Sequence, residues 1–114
     1  MDNRINALLE DITRSIDEIF EFLPDDSNFF EFQKDLKTKK AVERNIEIIG
    51  EAVNRINKLK KETIVIENAQ KIIGTRNRII HEYDNISDEV IWTIIIRELP
   101  KLKEEVEHLR RKLF

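Results

Sequence analysis

The 114-residue sequence has no cysteine, only two glycines and two prolines, and two histidines. Without cysteine there is no disulfide scaffold, no thiol nucleophile and no Cys-ligated zinc, which fits a reducing compartment. Two histidines are too few for a His-rich metal site. Four Gly and Pro residues cannot supply the tight turns that a β-sandwich, a barrel or a doubly wound α/β fold needs every 8–12 residues or so. Long apolar runs are also missing. The longest, Val90 to Ile96, is interrupted by Thr93 and is far too short to cross a bilayer. Residues Met1 to Glu10 carry Asp2, Arg4 and Glu10 and so lack the apolar stretch of a signal peptide. A soluble cytoplasmic protein with no membrane association is expected.

What is present is 40% hydrophobic and 38% charged residues, with 20 Lys+Arg against 23 Asp+Glu and a formal net charge of −3. The chain as a whole is therefore not a basic nucleic-acid binder, and any contact with RNA has to be local. Three short basic stretches (Lys34 to Lys40, Lys58 to Lys61, Arg110 to Lys112) read as solvated helix faces or as complements to helix C-termini. At this length one domain, residues 1–114, is expected, with a core that buries about two-thirds of the extended chain's surface.

Apolar residues recur at spacings of three and four from Ile5 to Leu23, which predicts an amphipathic helix of about five turns. Pro24-Asp25-Asp26-Ser27 stops it, with Ser27 in position to cap the next segment. The aromatic stretch Asn28 to Leu36 is either a short helix of its own or the first turns of a longer one. A second long helix is predicted over about Thr38 to Lys60. Val42, Ile46, Ile49, Val53 and Ile56 form one seam on it, and Ala41, Ile48, Ala52 and Leu59 another, so it should have two neighbours. Gly50 borders the first seam; a helical glycine costs about 1 kcal/mol, which suggests a close approach by another helix. Gly74, inside the third helix (about Ile66 to Tyr83), is expected to mark a second such approach. Asp84 to Ile86 form its exit. Ser87 then caps a helix burying Val90, Ile91, Ile94, Ile95, Leu99, Leu102, Val106, Leu109 and Leu113. Pro100 inside it removes the hydrogen bond to Ile96, predicting a kink or short break. The expected fold is all-α: an antiparallel up-and-down bundle of four main helices, with room for a short fifth.

On the third helix Arg76 lies in the middle of the stripe of Ile72, Ile73, Ile79, Ile80 and Tyr83, with Asn77 and His81 on its flank. An unpaired guanidinium in an apolar stripe costs several kcal/mol. Either Arg76 pairs with a carboxylate, with Glu43, Glu47 and Glu51 on the second helix as candidates and Glu51, next to Gly50, slightly favoured, or it reaches a cleft, or its stripe faces a second subunit. In the structural reading that ion pair is all there is, and His81 is an ordinary helix-end histidine. In the functional reading, histidine moves protons at neutral pH and arginine grips phosphate and steadies charge growing on it. Such a pair suits metal-free RNA cleavage by attack of a 2′-hydroxyl on the adjacent phosphate. One chain offers one usable histidine, while the reaction wants an acid and a base, so two copies across a two-fold axis would meet the need. His108 projects away from its helix's stripe as a solvent-exposed bystander. Trp92 reads as core or interface ahead of an RNA-stacking platform, and the Phe29, Phe30, Phe32 cluster reads first as core, with partner docking the lesser alternative.

Arg76-Asn77-Arg78-Ile79-Ile80-His81-Glu82-Tyr83 has the form R-N-x-x-x-H-x-Y and resembles the R-x4-6-H motif of HEPN domains. It is closer still to the R-x4-H-x-Y form of HepT-like toxins, which pair with a minimal nucleotidyltransferase antitoxin. Ala41 to Ala52 is similar to that family's A-V-E-R-x-x-x-I-I-G-E-A helix. Asp88 to Leu102, with Trp92 and Leu99-Pro100, is similar to its last helix. The stretch Glu62 to Glu67 departs from the pattern, with Ile66 where relatives often carry an aromatic residue. The resemblance implies a HEPN-like helical domain that homodimerises into a composite, metal-independent endoribonuclease site acting on RNA and calling for no cofactor. It implies Arg76 at the scissile phosphate, His81 in proton transfer and Asn77 orienting them. Tyr83 then matches the tyrosine that the antitoxin of some members modifies with AMP. The alternative is a catalytically silent helical module that engages a nucleotidyltransferase or a nucleotide.

Overall fold

The computed structural model describes residues 3–59, 64–81 and 87–114, with no side chain described for Ile80 or His81. Helix α1 (Asn3–Phe22) turns Ile5, Leu9, Ile12, Ile16 and Ile19 fully inward. Its close at Pro24 is a turn in which Ser27 donates both its N–H (3.0 Å) and its hydroxyl (2.5 Å) to the Pro24 carbonyl. Ser27 is thereby spent on the turn. Asn28 instead caps the short helix α2 (Phe29–Lys34), its side chain accepting the Glu31 N–H at 2.9 Å. Asp35 then starts α3 (Leu36–Leu59): one carboxylate oxygen accepts the Thr38 N–H at 3.1 Å and the other its hydroxyl at 2.6 Å. These bonds stabilise the charged form and hold the Asp35 carboxyl below its ordinary value.

Helix α3 is the centre of the bundle, flanked by α1 on one side and α4 (Ala69–His81) on the other. Its first seam, Val42, Ile46, Ile49, Val53 and Ile56, is fully buried, whereas the second is only partly covered, with Ala52 buried and Leu59 exposed. The apolar positions Phe20 and Phe22 of α1 also stay exposed. Of the aromatic segment, Phe32 is buried and packs on Trp92 with ring centres 5.3 Å apart; Phe29 meets the same ring edge-on at 6.3 Å. Phe30 lies outside under the Lys34 ammonium.

Ser87 caps α5 (Asp88–Thr93) by accepting the Val90 N–H at 3.1 Å. The chain continues through one π-helical stretch, Ile94–Glu98, into α6 (Leu99–Leu113). No break occurs at Pro100. The wider π turn upstream, in which the Leu99 N–H donates to the Ile94 carbonyl, places the proline in the first turn of α6. A missing N–H is tolerated there because first-turn N–H groups have no partner within their own helix. Lys103 pairs with Asp17 at 2.7 Å and Arg110 with Glu10 at 3.0 Å, which fixes α6 antiparallel to α1. The all-α bundle expected from the sequence is what the structure has.

Candidate functional site

Gly50 decides how closely α4 lies on α3. A Cβ placed on Gly50 would stand 2.3 Å from Arg76 Cβ and 2.7 Å from its Cγ, so any larger residue would force the helices apart. Gly74 does not share this role: nothing lies within 4 Å of where its Cβ would be. The close approach inferred for both glycines holds for Gly50 alone.

The stem of Arg76 fills the space that Gly50 leaves, and Ile72 and Ile79 on either side are buried. Its guanidinium emerges at the edge of the core, with 23% of the side chain exposed. Nη2 donates to Glu51 Oε2 at 2.6 Å and Nη1 to Asn77 Oδ1 at 2.7 Å. Nε is buried without a hydrogen-bond partner among the described residues. Of the three candidate carboxylates, Glu51 is therefore the partner; Glu47 pairs with Arg44 at 3.1 Å and Glu43 with Lys40 at 3.6 Å. Arginine has no acceptor, so Asn77 must present its oxygen to it, which leaves the Asn77 amide N–H groups as donors. Leu8, Asp11, Arg44, Ile48, Arg55 and Arg76 line an open cleft of ≈ 330 Å³ here.

Arg76 and Asn77 are thus brought together. His81 is the last residue of α4, five residues further on, which is about 7.5 Å along the axis. Tyr83 lies outside the described residues, as do Lys60, Lys61 and the exit segment Asp84 to Ile86. His108 is exposed on α6, as expected, and Trp92 belongs to the aromatic packing rather than to an open face. Among the described residues no three His, Asp or Glu side chains come together to hold a metal ion, and no helix is long and apolar enough to span a membrane.

Two features were not singled out in the sequence. Arg55 Nε donates to Glu51 Oε1 at 3.1 Å, one helical turn along α3, a spacing at which Glu and Arg routinely meet. Glu98, buried at the end of the π stretch, accepts Asn68 Nδ2 at 2.9 Å and Lys71 Nζ at 3.1 Å and so ties the start of α4 to the last helix. Asn68 there has φ 63°, a left-handed conformation that asparagine tolerates better than most residues.

A helical bundle in which an R-N-x-x-x-H string rides on a helix pinned to the central one defines a HEPN-like protein. Residues 12–109 match the family model described as Ribonuclease HepT-like, and the chain belongs to that family. Two proteins of Methanocaldococcus jannaschii, each named Putative RNase, are 36% identical to it over 109 and 103 residues. These alignments cover 92% and 90% of this chain and 86% and 94% of the relatives. The Probable ribonuclease HepT of Thermococcus cleftensis is 35% identical over 103 residues, 90% of this chain and 93% of its own length. A similar fold occurs in a crystal structure described as a toxin–antitoxin with AMP-PNP. There the TM-score is 0.75 at 18% identity, covering 96% of this chain and 99% of that one.

Proposed function

We propose that this protein is the toxin of a toxin–antitoxin pair and a metal-independent endoribonuclease whose active site is shared by two copies. The observation that carries the reading is the half-buried Arg76, held by Asn77 and Glu51 at the edge of a cleft, within the R-N-x-x-x-H string of a HepT-like ribonuclease family member. The names of its relatives support RNA as the substrate. The fold neighbour's toxin–antitoxin assembly supports an antitoxin partner, for which a minimal nucleotidyltransferase is the expected kind.

In this mechanism Arg76 binds the non-bridging oxygens of one phosphodiester and neutralises the charge that grows on them. One His81 imidazole takes the proton of the ribose 2′-hydroxyl as O2′ bonds to phosphorus. The P–O5′ bond breaks, and the departing O5′ receives a proton from the His81 imidazolium of the other copy. The products are a 2′,3′-cyclic phosphate and a 5′-hydroxyl. A second copy is needed because one chain brings one such histidine to its motif helix. Tyr83, two residues beyond His81, is the expected site of AMP addition; a bulky anion there would block the cleft and repel the RNA backbone.

The test is incubation of the purified protein, freed of antitoxin and AMP, with total RNA in chelator beside the His81→Ala variant. Cleavage by the wild type and none by the variant is expected. No cleavage by either, together with unchanged growth on expression of wild type, Arg76→Ala and His81→Ala, is the result that the silent-module alternative predicts. Intact mass after co-expression with an adjacent nucleotidyltransferase should show one or more added AMP groups, absent from Tyr83→Phe.

A further inference from the structure

The cleft around Arg76 contains more charge machinery than the R-N-x-x-x-H string provides, and the additional groups come from α3. The two oxygens of Glu51 are divided between two guanidiniums on different helices: Oε2 accepts from Arg76 at 2.6 Å and Oε1 from Arg55 at 3.1 Å. Gly50, the residue before Glu51, is where the Arg76 stem lies directly on the α3 backbone. Backbone contact and carboxylate therefore act on Arg76 from adjacent positions, one fixing its stem and the other its head.

We infer that Glu51 is a positioning residue, which holds the Arg76 guanidinium in one orientation while Arg55 offsets the negative charge that Glu51 would otherwise impose on the phosphate site. The inference rests on the ribonuclease reading and adds two residues to it. The charge balance carries the argument. Arg76 with Glu51 alone is neutral and would give an incoming phosphodiester little net attraction. The other charged groups lining the cleft are paired, Arg44 with Glu47 and Asp11 with Arg14, so the linked group of Arg55, Glu51 and Arg76 supplies one net positive charge to meet the single negative charge of one phosphodiester. With one N–H of Nη2 on Glu51 and one of Nη1 on Asn77, each Nη retains a second N–H for a phosphate oxygen. Arg55 is 64% exposed at the mouth of the cleft and bonds the Glu51 oxygen that Arg76 does not use.

The experiment compares wild type with Glu51→Gln, a nearly isosteric change at a side chain that is 40% exposed. Two readouts are used: ¹⁵N NMR of the arginine Nη groups, with Arg76 assigned by the loss of its signals in Arg76→Ala, and steady-state RNA cleavage. The inference predicts separate Nη resonances for Arg76 in the wild type that merge in Glu51→Gln as the guanidinium becomes free to rotate. It also predicts kcat lower by about ten-fold or more with KM unchanged or lower, because a freed guanidinium keeps its attraction for phosphate and loses its alignment. Unchanged Nη resonances, or an unchanged kcat, would overturn it. If the wild type cleaves no RNA, the ribonuclease reading falls, and the NMR arm by itself still decides whether Glu51 fixes Arg76.

Discussion

Two glycines in neighbouring helices should respond to the same substitution with opposite signs. Gly50→Ala drives a methyl group into the Arg76 stem, and neither Arg76 Cβ nor the backbone can yield cheaply. We expect a loss of about 1–3 kcal/mol, the usual cost of overpacking a core. Gly74→Ala meets nothing within 4 Å, and should stabilise the protein by about 0.5–1 kcal/mol through helix propensity. Urea midpoints of the two variants measure the difference. The sequence showed that helical glycines need an explanation but not that only one of them had a packing reason, since contacts between helices depend on register. The same limit applied to Arg76. Periodicity placed it in an apolar stripe and narrowed its partner to three carboxylates on α3. Adjacency to Gly50 leaned toward Glu51, and the crossing point of α3 and α4 selects it.

At the scale of elements, helix existence was legible and helix ends were less so. The three-and-four spacing of α1 and the first seam of α3 translate directly into buried faces, while the second seam of α3 is only partly covered. The caps were harder. Ser87 is the cap expected, while Ser27 gives way to Asn28 because its hydroxyl is bound to Pro24. Pro100 is accommodated by a five-residue π stretch that ends two residues upstream, and propensity alone does not specify that accommodation. The cap of α3 has a pH signature. Asp35 titrates below its ordinary value in the folded chain, so its stabilisation is present above the unfolded value and is lost as pH falls through the lowered folded one. Chemical shifts of the Thr38 amide should therefore follow an acid titration, and Asp35→Asn should abolish it while weakening the pH dependence of stability in the acid range. Glu98 offers a second check between elements. Glu98→Ala leaves Asn68 without its partner and unties the start of α4 from the last helix, at an expected cost of about 1–3 kcal/mol. Hydrogen exchange should then accelerate at the start of α4 before it does in α1.

For the whole molecule, family membership and fold converge on a HepT-like ribonuclease, and the proposed chemistry has two copies share one site. The motif was legible because its residues are adjacent in sequence, while the α3 groups that hold Arg76 lie 25 residues or less before it and announce themselves only as an ordinary Glu–Arg pair. A composite site requires a dimer in solution; light scattering at micromolar concentration should give twice the chain mass of 13.6 kDa. The most direct test of the central claim is the chemistry of the RNA ends produced in chelator by the antitoxin-free, unmodified protein. Mass spectrometry should find 2′,3′-cyclic phosphates paired with 5′-hydroxyls, and His81→Ala should yield neither. Products ending in 3′-hydroxyl and 5′-phosphate, or equal cleavage by His81→Ala, would contradict the account.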